Sequence, residues 1–361
     1  VLGPFQRHHG DAVVVAEGLA RQQASASAAQ AQYGIEGARR IGEELLGVPC
    51  LRQGARVATL FERKIDERVG IQSRRTVMSL DYIKETLNRD FTQAAEASDY
   101  THAETGKFAG EMALRRAGLQ ASDIGMVIAG SCNPDSMSPA DACMIAAQLG
   151  IEAPSFDINS ACTSFHVALY MLAMMRPEAV PEFVLVVTPE TVTCSVDYSD
   201  RAGAVLWGDG TVAAVVSTKV PSRIEILGNS IDGSPAGWDK VTIGSNEHFR
   251  QDGRTVQMFA IKKTIRGLKK LQQEFTDPDR RLHFVGHQAN LRMLDAVCQR
   301  CEIPEELHHS SVVDFGNTGA AGAPGVVSMR WDEWQPGDDV ALVGVGSGLT
   351  WSGHVYRFGK V

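Results

Sequence analysis

Residues 153–175 read APSFDINSACTSFHVALYMLAMM. APSFDINSA reads as a strand, and CTSFHVALYMLAMM as an apolar helix that begins at or beside Cys162. A cysteine at such a junction meets the unpaired N–H groups and positive dipole end of the helix, and both favour its thiolate. Thiolate is the reactive form of cysteine, so Cys162 is a candidate nucleophile.

Outward from this junction the chain alternates strand and helix from about residue 76. SLDYIKETLNRDFTQAAEA (79–97) and HAETGKFAGEMALRRAGL (102–119) read as helices, and ASDIGMVIAGSC (121–132) as a buried strand. SPADACMIAAQLGI (138–151) reads as a helix with Ser138 as cap and Pro139 in its first turn. PEFVLVVTPE is another buried strand, and AVLWGDGTVAAVVSTK reads as two strands around a Gly-Asp-Gly turn. The second half echoes this order. RIEILGNSI is a strand, VQMFAIKKTIRGLKKLQQEF a helix, and LHFVGHQAN a strand entering the helix LRMLDAVCQRC. HHSSVVDFGNTGAAGAPGVVSMRW reads as strand, glycine-rich turn and helix, and DDVALVGVGSGLTWSGHVYRF as two closing strands. Strands alternating with helices predict an α/β layered fold built from a duplicated unit. The boundaries predicted are an N-terminal helical or irregular extension over 1–55, a first half over 56–220 that carries Cys162, and a second half over 221–361.

The 361 residues are 44% hydrophobic and 22% charged, values that suit a globular chain of two domains or one large duplicated one. A formal charge of −8 argues against a general nucleic-acid binder. No apolar run approaches the ~20 residues of a membrane span. The start, VLGPFQRHHGDAVVV, lacks the layout of a secretory signal. Of the seven cysteines, Cys298 and Cys301 are three apart on an expected helix (CQRC), but no second Cys or His pair completes a zinc site, so reduced thiols in a cytoplasmic protein and no metal are expected. Cys132, Cys143, Cys194, Cys298 and Cys301 are read as small buried apolar residues.

Two further junctions carry chemistry. His287 leaves a buried strand in FVGHQANLRML, with Asn290 close behind, and Asn317 lies in the glycine-rich turn of VVDFGNTGAAGAP. Each alone has an ordinary structural explanation. Together they put Cys, His and Asn at the ends of three buried strands, where sites form in α/β folds. Glycines 344, 346 and 348 of VGVGSGLTWSG let backbone approach a ligand, and N–H groups there could form an oxyanion hole, although a plain hairpin turn fits them too.

NSACTSF, GHQANLRML, FGNTGAAGAP and GVGSGLTWSG, in this order, resemble the β-ketoacyl-acyl-carrier-protein synthase III (ketosynthase III) family from about residue 60 to 361. The resemblance implies a thiolase fold of five layers, αβαβα, a homodimer and no cofactor. It implies that Cys162 takes an acyl group from a thioester, commonly acyl-CoA. His287 and Asn317 then stabilise the enolate formed when a malonyl-type acyl-carrier-protein thioester loses carbon dioxide. It implies an oxyanion hole from the backbone N–H groups of Cys162 and Ser347, and CoA or substrate contacts from Arg68, Arg201, Phe259 and Asn290. Arg292 aligns with a residue used in carrier-protein docking. Lys262, Lys263, Arg266, Lys269 and Lys270 crowd one helix nearby, a patch that would attract an acidic carrier protein and that reads equally well as a solvated helix face. The family's CoA-stacking tryptophan aligns with Lys64, which leaves room for an acyl-carrier-protein donor. Ser138 aligns with the bulky residue by which the partner subunit caps the acyl pocket, and its small size implies a longer or bulkier acyl chain. Within the same chemistry, an acyltransferase or chain-joining synthase and a chalcone-synthase relative remain alternatives. A thiolase is disfavoured because the C-terminal loop has no cysteine. A non-catalytic partner subunit is disfavoured because all three site residues are present.

Overall fold

The computed structural model describes residues 13–15 (backbone only), 69–200, 202–244 and 247–359. The helical or irregular extension expected over 1–55, apart from 13–15, and the residues Lys64, Arg68 and Arg201 lie outside the described residues. The first half comprises β1 (Val13–Val15), α1 (Leu80–Thr86), α2 (His102–Ala117), β2 (Met126–Ala129), α3 (Asp141–Leu149), β3 (Ser155–Asp157), α4 (Ser164–Met174), β4 (Val184–Glu190) and β5 (Gly210–Ser217). The second comprises β6 (Ile224–Gly233), a small β7 (Val241–Thr242) and β8 (Arg250–Gln251) ribbon, α5 (Gly253–Phe275), β9 (Arg281–Gly286), α6 (Leu291–Cys301), α7 (Val312–Phe315), α8 (Gly322–Met329), β10 (Asp338–Gly346) and β11 (Thr350–Phe358).

Nine strands run in the order β3-β2-β4-β5-β1-β6-β11-β10-β9. β2 pairs in parallel with β3 and β4, and β9 in parallel with β10, so each half has a parallel edge that opens its strand ends to a site. β1 lies antiparallel between β5 and β6 and joins the two halves, a strand within a stretch that reads as an extension.

Packing sorts the elements into five layers. α2 and α3 cover one face of the first half through Leu114, Ile145, Val127, Leu185 and Val215. α5 and α6 cover the far face of the second through Leu268, Leu271, Leu294, Phe284 and Val343. Between the halves lie α4 and α8, where Phe165, Leu169, Leu172 and Val326 meet Val186, Val285 and Leu342 from both sets of strands. Helices sandwiched in this way are apolar all round, which is why SFHVALYMLAM carries no polar face. Leu169 and Leu172 are each 1% exposed, and burying each stabilises by roughly 1.5–3 kcal/mol.

Local chemistry explains most boundaries. α2 starts at a capping box: the Thr101 side chain accepts from Glu104 N, and the Glu104 carboxylate accepts from Thr101 N. Gly118, at φ +67°, ends it.

Four expectations need correction. The helix read over 79–97 breaks after Thr86, because Leu87 and Asn88 turn left-handed. Fully buried Asn88 drives the break: it donates to Cys194 O and Val196 O and accepts from the Tyr82 hydroxyl. Ser138 does not cap α3. Its first N–H groups, of Asp141 and Ala142, donate instead to the Asp157 carboxylate at 2.9 Å each, from the end of β3. AVLW at 204–207 is not a strand but a run of turns that ends in a bridge from Trp207 to Asn317. SSVVDF forms the single turn α7, because the Gln288 side-chain oxygen accepts from Ser311 N and Val312 N. Asn317 therefore does not end a strand.

Candidate active site

Cys162 follows Ala161, whose φ of +46° is left-handed. A side chain costs roughly 1–2 kcal/mol in that conformation, so the turn stores strain at this point. The strain turns the chain sharply from β3 into α4, whose cap is Thr163, one residue beyond the cysteine. Thr163 N and Ser164 N donate to Ser160 O and Ala161 O, and the Ser164 hydroxyl donates to Ala161 O while accepting from Ser160 N. The elbow is thus held from both sides.

The thiol opens into a cavity of about 280 Å³ lined by Cys132, Ala161, Cys162, Trp207, Trp238, Val241, Thr242, Ile243, Phe249 and Ser347. Cys162 is 9% exposed and Trp238, at the mouth, 70%. Gly346 packs directly on the elbow: a Cβ there would stand 3.3 Å from Cys162 N and 3.2 Å from Thr163 N. Glycine is what lets the C-terminal loop bring Ser347 beside the cysteine backbone. The Ser347 hydroxyl donates to Val241 O at 2.6 Å, fixing the loop to the cavity wall.

Cys132 ends the strand-to-loop turn after β2, and its Sγ lies 3.6 Å from that of Cys162. The Cys162 thiol is held well below the ordinary cysteine range, first by the hydrogen bond from Cys132 and then by the imidazole of His287, against the opposing effect of burial. Cys132 is pushed up correspondingly, by that hydrogen bond, by burial and by nearby Glu190. Of the two sulfurs, Cys162 is the one favoured to ionise, because the Cys132 hydrogen bond and the His287 imidazole lower it while burial helps to raise its neighbour.

His287 follows β9 and is 6% exposed. The next residue, Gln288, fixes the turn: its amide donates to Gly286 O while its oxygen takes the two α7 N–H groups. Asn317 lies between Gly316 (φ +68°) and Gly319 (φ +54°). Its side-chain oxygen accepts from Gly319 N at 3.1 Å, which leaves its NH₂ group as the donor end. The bridge to Trp207 fixes Asn317 to the cavity wall. Buried Glu190, at the end of β4, ties the two halves together: it accepts from Ala320 N at 2.8 Å and from Cys132 N at 3.1 and 3.2 Å. Burial, and then the Cys162 charge, push it up to about 8.

Other expected residues fall elsewhere. Asn290 caps α6 by accepting from Met293 N at 2.9 Å. Phe259 packs edge-on against Trp351, away from the cavity lining. Ser138 is exposed on the loop before α3. Arg292, Lys262 and Arg266 are exposed, as are Lys269 and Lys270, while the Lys263 ammonium sits 3.6 Å over the Trp351 ring. His102, Asp135 and Asp141 cluster beside Glu190, but both His102 nitrogens already have partners, Asp141 at 2.6 Å and Thr191 at 2.9 Å.

Two cysteine expectations are corrected: Cys143 is exposed, and Cys132 faces the cavity rather than filling core. A signal for Cys132 exists, since GSC leaves a parallel strand as the Cys162 and His287 segments do.

Comparison with known proteins identifies the family. Residues 156–233 match the family model of 3-oxoacyl-[acyl-carrier-protein] synthase III, and residues 271–358 match its C-terminal model. The chain is similar to β-ketoacyl-[acyl-carrier-protein] synthase III of Geobacillus kaustophilus, 31% identical over 271 residues, 73% of this chain and 86% of that protein. It superposes on the crystal structure of 3-oxoacyl-[acyl-carrier-protein] synthase III from Aquifex aeolicus with a TM-score of 0.72 at 26% identity, covering 82% and 91% of the two chains. It superposes on the priming β-ketosynthase of the R1128 polyketide pathway with a TM-score of 0.68 at 27% identity, covering 83% and 88%. The chain belongs to the ketosynthase III family of the thiolase superfamily and is a condensing acyltransferase.

Proposed function

We propose that Cys162 accepts an acyl group from a CoA or carrier-protein thioester and then joins it to the carbanion left when a malonyl-type carrier-protein thioester loses carbon dioxide. The observation that carries this is the depressed Cys162 thiol, set on a strained elbow at a cavity with His287 facing it. The thiolate adds to the acyl carbonyl, the oxyanion accepts from the N–H groups of Cys162 and Ser347, and the donor thiol leaves. The acceptor then binds with its thioester carbonyl between His287 and the Asn317 NH₂. Loss of carbon dioxide gives an enolate that these two donors stabilise. Its carbon attacks the acyl-cysteine, and the Cys162 thiolate departs. Two reactants held in one cavity supply the proximity term.

The same reading makes the enzyme a cytoplasmic homodimer without a cofactor, in fatty-acid or specialised polyketide synthesis. Exposed Ser138 would complete the partner's acyl pocket, and the 96% exposed Met137 beside it supports a loop that is covered on assembly. Exposed Arg292, Lys262 and Arg266 on the adjacent helices α6 and α5 would receive the acidic carrier protein, with Lys263 anchoring the patch on Trp351. Arg68 and Arg201 would hold the CoA end of the donor, and Asn290 and Phe259 the approach to the cavity. Among the described residues no helix is long and apolar enough to cross a membrane.

Intact-mass spectrometry after incubation with acyl-CoA and acyl-carrier-protein panels tests this. An acyl adduct that disappears in Cys162→Ser, and that malonyl-carrier protein discharges with release of carbon dioxide, is expected. Discharge without loss of carbon dioxide would mean transfer rather than elongation.

A further inference from the structure

The second thiol in the cavity forms and breaks no bond in the reaction described above, although its hydrogen bond helps to hold the Cys162 thiol low. Cys132 and Cys162 come from segments 30 residues apart, with sulfurs in contact at 3.6 Å, and both line the same cavity. Both are free thiols. Cys132 is fixed through its backbone N–H to Glu190 and Cys162 by its elbow, so the pair is a standing feature of the fold. A disulfide needs the sulfurs to close to about 2.05 Å, roughly 1.5 Å less than their present separation, a closure for rotation about the two Cα–Cβ bonds to supply. The other described cysteines lack this setting. Cys194, Cys298 and Cys301 are pushed up by burial, and exposed Cys143 donates to Ser155 O.

We propose that Cys132 and Cys162 form a redox modification site: a hydroperoxide converts them to an intramolecular disulfide that reversibly stops condensation and protects the nucleophile from further oxidation. The Cys162 thiolate attacks the peroxide, forming an S–O bond as the O–O bond breaks, and with a proton one water leaves. The Cys132 sulfur then attacks the Cys162 sulfenic acid. An S–S bond forms, the S–O bond breaks, and the departing hydroxide takes the Cys132 proton as a second water. Two thiols are oxidised and one hydrogen peroxide is reduced. A dithiol reductant restores both thiols by exchange and becomes a disulfide itself. Without a resolving thiol, sulfenic acid proceeds to sulfinic and sulfonic acid, which such reductants do not reverse.

The switch rests on Cys162 being the nucleophile, whereas the bond itself does not. Full-length enzyme is treated with hydrogen peroxide, its free thiols are alkylated, and the protein is read by intact mass and peptide mapping. Wild type should lose two hydrogens, yield a cross-linked peptide joining residues 132 and 162, lose its condensation activity, and regain most of it with dithiothreitol. Cys132→Ser, scored against its own starting activity, should instead gain two or three oxygens on Cys162 and regain almost none. Wild type that accumulates these oxidised forms with no cross-linked peptide would overturn the proposal, and this readout needs no folded variant. A cross-link that leaves condensation running would overturn both the switch and the role of Cys162 under Proposed function, while the oxidation site itself would stand.

Discussion

The two halves position their candidate side chains by different physical means, Cys162 in the cavity lining, His287 beside the Cys162 sulfur and Asn317 bridged to Trp207 of the cavity wall. In the first half the backbone does the aiming: Ala161 is held left-handed between β3 and α4, and the cysteine projects from the bend. In the second half hydrogen bonds do it. Gln288 locks the turn after His287, and glycines 316 and 319 carry the positive φ values around Asn317 at no steric cost. Among the described residues Leu87, Asn88, Ala161 and Glu302 are the non-glycine residues with positive φ, and of these only Ala161 stands at the cavity. A nucleophile has to be held rigidly over a carbonyl, whereas donors to an oxyanion need orientation more than strain.

The largest expected effect separates the halves completely. Cys162→Ser should abolish both acylation and condensation, because an alcohol at this elbow has no counterpart to the depressed thiol. Radiolabelled acyl transfer and product formation would be followed side by side. Residual acylation at the wild-type rate would move the nucleophile elsewhere.

Next in size, Asn317→Ala should slow condensation by about 10²–10³-fold, the usual cost of removing one oxyanion donor. Acylation of Cys162 should change by less than about tenfold, because in this mechanism Asn317 meets only the acceptor. Single-turnover kinetics of each half-reaction decide it. If both fell together, the division of labour between the halves would be wrong.

The sequence made this division only half visible. Cys162 and His287 stand out as candidates because each follows a strand end and precedes a helix start, and Asn317 because it lies in a glycine-rich turn before a helix. What surrounds them is not local. Cys132 matters because β2 pairs with β3 in parallel, which brings the ends of two distant segments together. Glu190 looks like the last residue of an apolar strand, and its partners, Cys132 N and Ala320 N, come from opposite halves. Helix 79–97 was over-extended for the same reason: the tertiary bonds of Asn88 outweigh the helical preference of the residues around it. Likewise, nothing near Ser138 reveals that the carboxylate of Asp157 performs the capping.

Ala161 offers a way to sharpen the comparison through stability. Ala161→Val should destabilise the fold by about 1–3 kcal/mol, since a β-branched side chain resists positive φ more strongly than Ala. Ala161→Gly should stay within about 1 kcal/mol of wild type while acylation slows, because relief of strain and loss of chain stiffness offset each other. Urea denaturation paired with acylation rates tests both. Equal stability for Val and Gly would mean that the elbow relaxes and aims nothing.

At pH 5 the smallest effect, growing only as pH rises, concerns the residue that joins the halves. Burial holds the Glu190 carboxyl at about 8, well above its ordinary 4.5, so it is protonated at neutral pH in the folded protein. Between these values the unfolded chain releases the proton and the native chain keeps it. Native protein therefore binds more protons, and stability falls as pH rises from about 4.5 to about 8, then levels off. Glu190→Gln keeps an uncharged acceptor for Ala320 N and Cys132 N but cannot ionise. The variant should match wild type near pH 5 and gain on it steadily up to pH 8, by at most a few kcal/mol. Thermal melts across that range give the slope directly. A variant that lost stability equally at every pH would show that the carboxyl is ionised in the native state and that its negative charge, rather than its neutral oxygen, holds the two halves at the cavity.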